Sequence, residues 1–82
     1  MVTVLFHPSF KKLFLKIKDP NVKDQVLKQV AKIRDNPEIG KPMRFSRKGT
    51  REVYIHSFRL SYLYLKQEEK LVLLDLYHKD ER

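Results

Sequence analysis

The chain reads as an α+β domain, a largely antiparallel twisted sheet with an α-hairpin packed on one of its faces. Three observations carry this. Apolar residues recur at helical spacing through residues 8–36, broken once at Asp19-Pro20. A loop with two prolines and a glycine, Asn36-Pro37-Glu38-Ile39-Gly40-Lys41-Pro42, then ends the helical period. From Met43 to His78 the pattern is that of short strands rich in β-branched and aromatic residues, separated by tight polar connections. The predicted order is β-α-α-β-β-β-β.

Residues 2–7, Val-Thr-Val-Leu-Phe-His, form the first expected strand. Pro8 and Ser9 open a helix whose Phe10, Leu13, Phe14 and Ile17 lie at i, i+3, i+4 and i+7, with Lys11, Lys12, Lys16 and Lys18 mostly opposite. Asp19-Pro20 stops it and starts a second helix, because proline is tolerated at a first helical position but not inside. Val22, Val26, Val30 and Ile33 make the second apolar stripe, widened by Leu27 and Ala31. Strands are expected at Met43 to Phe45, Glu52 to His56, Arg59 to Lys66 and Leu71 to His78, joined as an antiparallel meander. Uninterrupted alternation in the last strand puts Leu71, Leu73, Asp75, Tyr77 and Lys79 on one face. Val72, Leu74, Leu76 and His78 fall on the other, and that more aliphatic set is expected under the helices.

With 82 residues the chain holds one domain, residues 1–82, and little stability to spare. It has no cysteine, so neither a disulfide nor a cysteine zinc site braces it, and a reducing compartment fits. No signal-peptide core or membrane-length apolar run is present, so the expected location is the cytoplasm. Eighteen Lys and Arg against ten Asp and Glu give a net charge of +8, which attracts polyanions: nucleic acid, an anionic membrane or an acidic protein.

Gly40 and Gly49 lack phosphate-loop spacing, and His7, His56 and His78 lack helical metal-ligand spacing. No metal, cofactor or small-molecule ligand is expected. The C-terminal half instead concentrates Lys41, Arg44, Arg47, Lys48, Arg51, Tyr54, His56, Arg59, Tyr62, Tyr64, Tyr77, His78, Lys79 and Arg82. Cations hold phosphates and aromatic rings stack on bases, the usual mixture for single-stranded RNA. Tyr62 and Tyr64 suit packing as half-buried strand aromatics, whereas Tyr54 and Tyr77 lie beside charged residues near strand ends. His78 closes the expected core-facing row, where a buried or capping histidine is the plainer role.

Three stretches resemble the RelE/ParE toxin superfamily: the helix-ending Asn36-Pro37-Glu38-Ile39-Gly40-Lys41-Pro42-Met43-Arg44, the strand start Phe58-Arg59-Leu60-Ser61-Tyr62, and the closing Leu74-Asp75-Leu76-Tyr77-His78-Lys79. Their order and spacing cover nearly the whole chain. The resemblance implies the toxin of a toxin–antitoxin pair, with a cognate antitoxin as partner. For RelE-like members it implies an endoribonuclease that cuts mRNA in the ribosomal A site without metal. It places Arg59 on the scissile phosphate, Lys79 at the basic position that stabilises the transition state, and His78 at the histidine just before it. Arg51 and Tyr54 join the expected catalytic set, although their alignment slips by one or two positions. Lys41, Arg44, Arg47, Lys48, His56, Tyr77 and Arg82 are the expected RNA contacts. The chain departs from the family in lacking a Gly-Asp turn before Phe58 and a downstream tyrosine. The proton acceptor is left open among Lys79, His78 and His56. Two other readings stand beside this one: a ParE-like toxin that poisons gyrase by binding, and a non-toxic basic interaction module.

Overall fold

The computed structural model describes residues 2–43 and 49–78. Its elements are β1 (Thr3–Phe6), α1 (Pro8–Lys16), α2 (Pro20–Asp35), β2 (Lys41–Pro42), β3 (Thr50–Ile55), β4 (Phe58–Leu65) and β5 (Lys70–His78), with a 3-10 turn at Lys66–Glu68. This is the expected order. Both helices begin on a proline whose missing N–H costs nothing there. Asp19 caps α2 through Oδ1, which accepts from the Asn21 N–H at 2.9 Å. His7 caps α1 in the same way, its Nδ1 accepting from the Ser9 N–H at 3.1 Å. Between the helices Ile17 adopts extended backbone and stays buried, so the joint is pinned by an apolar anchor.

The sheet order is β1-β5-β4-β3-β2, with β4 at the centre. The meander β2-β3-β4-β5 is antiparallel, and β1 joins it as a parallel neighbour of β5. The tight β3–β4 connection is the two residues His56-Ser57, with His56 at φ 55°. Histidine tolerates this left-handed region better than most residues with a Cβ. β2 is shorter and earlier than the expected Met43 to Phe45: it comprises Lys41 and Pro42, paired with Glu52 and Arg51. Met43 still donates its N–H to the Thr50 carbonyl at 3.2 Å, while Arg44 and Phe45 lie outside the described residues.

One face of the sheet is covered by the α-hairpin, α1 chiefly on β5 and α2 on β3. Phe10, Ile17, Val26 and Ile33 from the helix layer meet Val53, Ile55, Leu60, Tyr62, Leu71, Leu73 and Leu76 from the sheet. The expected alternation in the last strand fails in its first half, because Leu71 and Leu73 are buried in the core while Val72 and Leu74 are only partly covered. The cause is a register shift. Ser61 pairs with Asp75, but the next residue, Tyr62, pairs with Leu73, which leaves Leu74 as an extra residue. Such a bulge swaps the faces of one strand relative to its neighbour. Leu71 and Leu73 before it, and Leu76 after it, therefore all reach the helices.

This geometry predicts unequal leucines. Leu73→Ala should cost about 2–5 kcal/mol by denaturant unfolding, and Leu74→Ala markedly less. Equal losses would restore an uninterrupted alternation and remove the bulge.

Candidate functional site

The strand pairings lay out the face that the helices leave uncovered. Residues opposite one another across antiparallel strands share a face, so the open side is built in rows. One row is Tyr54, Arg59 and Tyr77, from β3, β4 and β5. The next is Lys41, Glu52, Ser61 and Asp75. A third is Thr50, Leu63, Val72 and Leu5, which is aliphatic toward β1. The polar, aromatic end of the face thus lies away from β1, toward the β3–β4 turn.

Arg59 is the centre of the first row. Its guanidinium carbon lies 4.9 Å from the centroid of the Tyr54 ring, a cation–π contact worth about 0.5–1 kcal/mol when exposed. Its Nε is buried and has no hydrogen-bond partner among the described residues. An unsatisfied buried donor costs about 1–3 kcal/mol, so an anion that reached it would gain that deficit as affinity. On the other side, the Tyr77 hydroxyl donates to Glu52 Oε2 at 3.2 Å. The arrangement is an arginine between two aromatic rings, with carboxylates one row behind. Such a row can stack bases, hold a phosphate and accept a proton within one face.

The other expected site residues are distributed unevenly. Lys41 is exposed and stands opposite Glu52 on the open face. His56 is exposed in the turn, beside Tyr54 in a cleft against α2. Arg51 lies on the opposite face from Arg59, where it pairs with Tyr62 and Pro42. There it donates from Nη1 to the carbonyls of Glu38 at 3.1 Å and Gly40 at 2.7 Å. His78 also lies on the helix-covered side, opposite Phe58, and their rings meet edge-on with centroids 5.5 Å apart. It lines a cleft of about 500 Å³ with Leu13, Lys16 and Ile17 from the helix layer. The structure therefore brings Arg59, Tyr54 and Tyr77 together and directs Arg51 and His78 elsewhere. Lys79, Arg44, Arg47, Lys48 and Arg82 lie outside the described residues. Among the described residues, no three His, Asp or Glu side chains group as a metal site, and no helix is long and apolar enough to cross a membrane.

A family model described as the ParE toxin of the type II toxin–antitoxin system parDE matches residues 4–82. The chain belongs to that family. It lies within the RelE/ParE toxin superfamily, as the three sequence stretches imply. The toxin fold of the intact Escherichia coli RelBE toxin–antitoxin complex superposes with a TM-score of 0.82 at 17% identity, covering 95% of this chain and 96% of that one. The RelBE2 toxin–antitoxin complex of Mycobacterium tuberculosis gives 0.78 at 25% identity, with 94% and 96% covered. The archaeal RelE–RelB complex of Pyrococcus horikoshii gives 0.77 at 11%, with 99% and 98% covered. No curated protein matches the chain significantly by sequence. At such identities the superpositions describe a shared backbone, and the side chains must be argued from this chain itself.

Sequence reasoning does not single out Glu52, and it gives Tyr62 a packing role without the hydrogen-bonded anchor it makes beneath the site. Glu52 carries a parity signal, two residues before Tyr54 on the same strand. Tyr62, expected as a half-buried packing aromatic, is fully buried, and its hydroxyl accepts from the Gly40 N–H and donates to the Pro37 carbonyl, both at 2.8 Å. Burial pushes its pKa above the ordinary 10.0, opposed by the Gly40 hydrogen bond and the nearby Arg51 charge, with Glu38 adding a smaller push upward.

Because the folded phenol holds its proton more tightly than the unfolded one, its stabilisation is complete below pH 10 and is lost as pH rises through the raised folded value. Alkaline unfolding of the wild-type protein should steepen above pH 10, and Tyr62→Phe should flatten that limb. The same substitution should cost about 1–3 kcal/mol at neutral pH by stranding the Gly40 N–H. An alkaline limb of unchanged slope in Tyr62→Phe would assign it to another group.

Proposed function

We propose that this chain is the toxin of a toxin–antitoxin pair and acts as a metal-independent endoribonuclease on mRNA, held on the open face of the sheet. Support comes first from the row Tyr54, Arg59 and Tyr77, with its buried Arg59 Nε that has no acceptor among the described residues. Bases stack on the two tyrosines, and Arg59 takes the phosphate between them. The 2′-oxygen forms a bond to phosphorus as the bond from phosphorus to the 5′-oxygen breaks, giving a 2′,3′-cyclic phosphate and a 5′-hydroxyl. The 2′-hydroxyl proton goes to a base on the face, for which Glu52 is placed beside Tyr77, and an acid returns a proton to the leaving oxygen. Cationic groups stabilise the charge that develops on the phosphoryl oxygens, so the chemistry requires no metal. Lys79, the residue that follows His78 in the sequence, is proposed to help neutralise that charge, and translated mRNA in the ribosomal A site is the proposed substrate.

The partner is proposed to be an antitoxin, as in the RelBE complexes whose toxin fold this chain shares. An acidic, amphipathic chain suits the +8 charge and the 74% exposed Leu15 on the outer side of α1. A second reading, a ParE-like toxin that poisons gyrase by binding, is favoured by one observation. His78 and Arg51 lie on the face opposite Arg59, which removes two groups from the nuclease set.

Induced expression in growing cells followed by mapping of RNA 5′ ends separates the readings. In-frame cuts within translated codons support the nuclease, whereas intact mRNA with gyrase-dependent DNA breaks supports the second reading. Arg59→Ala should lower cleavage by about 10²–10³-fold without shifting the melting temperature downward. Undiminished cutting by that variant would remove Arg59 from the site. Leu15→Glu should weaken antitoxin binding, measured by titration, while leaving cleavage intact.

A further inference from the structure

The outer edge of β3 is covered by β2 only at Arg51 and Glu52. Beyond that point it has no strand partner among the described residues, and α2 runs alongside it. The gap between them is a cleft of about 250 Å³ where Gln25, Gln29 and Lys32 of α2 face Tyr54 and His56. It adjoins a second hollow of about 300 Å³, also lined by Gln29 and Tyr54, which reaches Lys41 and Glu52 at the rim of the open face. Tyr54 is 60% exposed, so its ring is open to a stacking partner. It lines both hollows while Arg59 lies over its ring.

We infer that this cleft is a base-selecting subsite, which receives a nucleobase next to the phosphate held at Arg59. The inference rests on the RNA reading above and extends it to specificity. Gln25 and Gln29 are one helical turn apart on the same side of α2, and their carboxamides make no hydrogen bond among the described residues. A carboxamide offers a donor and an acceptor together, the combination that reads the edge of a base. Tyr54 supplies the stacking surface, which is tolerant of any base and so leaves discrimination to the amides. Lys32 makes no ion pair among the described residues, whereas Lys28 on the same helix is held by Asp24 at 3.1 Å. Lys32 is therefore a cation unpaired among the described residues, placed at the cleft for a phosphate flanking the recognised base, and Lys28 lines the same cleft. The polar positions of α2 thus continue the strand's path from the open face, over the free edge of β3, onto the helix layer.

The test uses Gln25→Ala and Gln29→Ala together. Both positions are helical and neither is fully buried, so alanine should keep the fold. RNA ends mapped after expression of the wild-type protein should show a biased base beside the cut. In the double variant that bias should fall by about tenfold or more, the scale of a lost bidentate base contact. Binding to short A, C and U homopolymers, measured on the purified wild-type protein and the double variant, should lose its spread in the same proportion. Cuts that vanish in Arg59→Ala but keep the same base bias in the glutamine double variant would overturn the subsite and leave the nuclease standing. A wild-type protein that neither cuts RNA nor binds the homopolymers would overturn both.

Discussion

A single buried hydroxyl ties the helix layer to the sheet. Tyr62 stands on the central strand, fully buried, and its oxygen closes two hydrogen bonds to the segment that follows α2. Gly40 passes so close to the Tyr62 ring that a Cβ there would collide with its hydroxyl, so the position admits no side chain without displacing the ring. Arg51, Tyr62's neighbour on β3, adds two further bonds to the same loop. Together they hold the exit of α2 against the sheet and feed the chain into β2 beside β3. The α-hairpin is thereby fixed over one face, and the other face is left open. A buried polar network satisfied by loop backbone helps to define one packing of the helix layer on the sheet.

Arg51 illustrates how one physical property can suit two roles. The long guanidinium that suits a phosphate suits carbonyl oxygens equally, and register decides between them. Arg51 sits opposite Tyr62 on the covered side, whereas Arg59, equally basic, sits opposite Tyr54 and Tyr77 on the open side. Arg59 keeps one N–H without an acceptor among the described residues, and Arg51 spends its own on loop carbonyls. The same distinction separates Tyr62 from Tyr54, one ring closed in the core and the other exposed at an edge.

The bulge at Leu74 has a comparable effect on β5. Without it, Leu71 and Leu73 would share a face with Asp75 and Tyr77, and the strand could not satisfy both the core and the open row. Skipping one residue lets the aliphatic first half face the helices, while Asp75 and Tyr77 join Ser61 and Arg59 on the open side. Bulges of this kind often lie beside functional surfaces because they redirect a side chain without ending the strand.

By itself the sequence determined the element order, the two proline-started helices, their buried stripes and the family, because helical period, capping residues and loop prolines act locally. It also named Arg59, Tyr54 and Tyr77 as candidates, through the family resemblance and the mixture of cations and aromatics, without showing that they stand in one row. Tertiary structure alone decided the rest. The parallel seat of β1 beside β5, the bulge that reversed parity in Leu71 and Leu73, and the assignment of Arg51 to the covered face all depend on which strand lies against which, whereas His78 keeps the helix-covered side that alternation in its strand implies. The cleft between Gln29 and Tyr54 belongs to the same class, because residues so far apart in the chain meet only once the Tyr62 anchor has set α2 beside the free edge of β3. Pairing register is a property of two strands at once, and no periodicity within one segment encodes it.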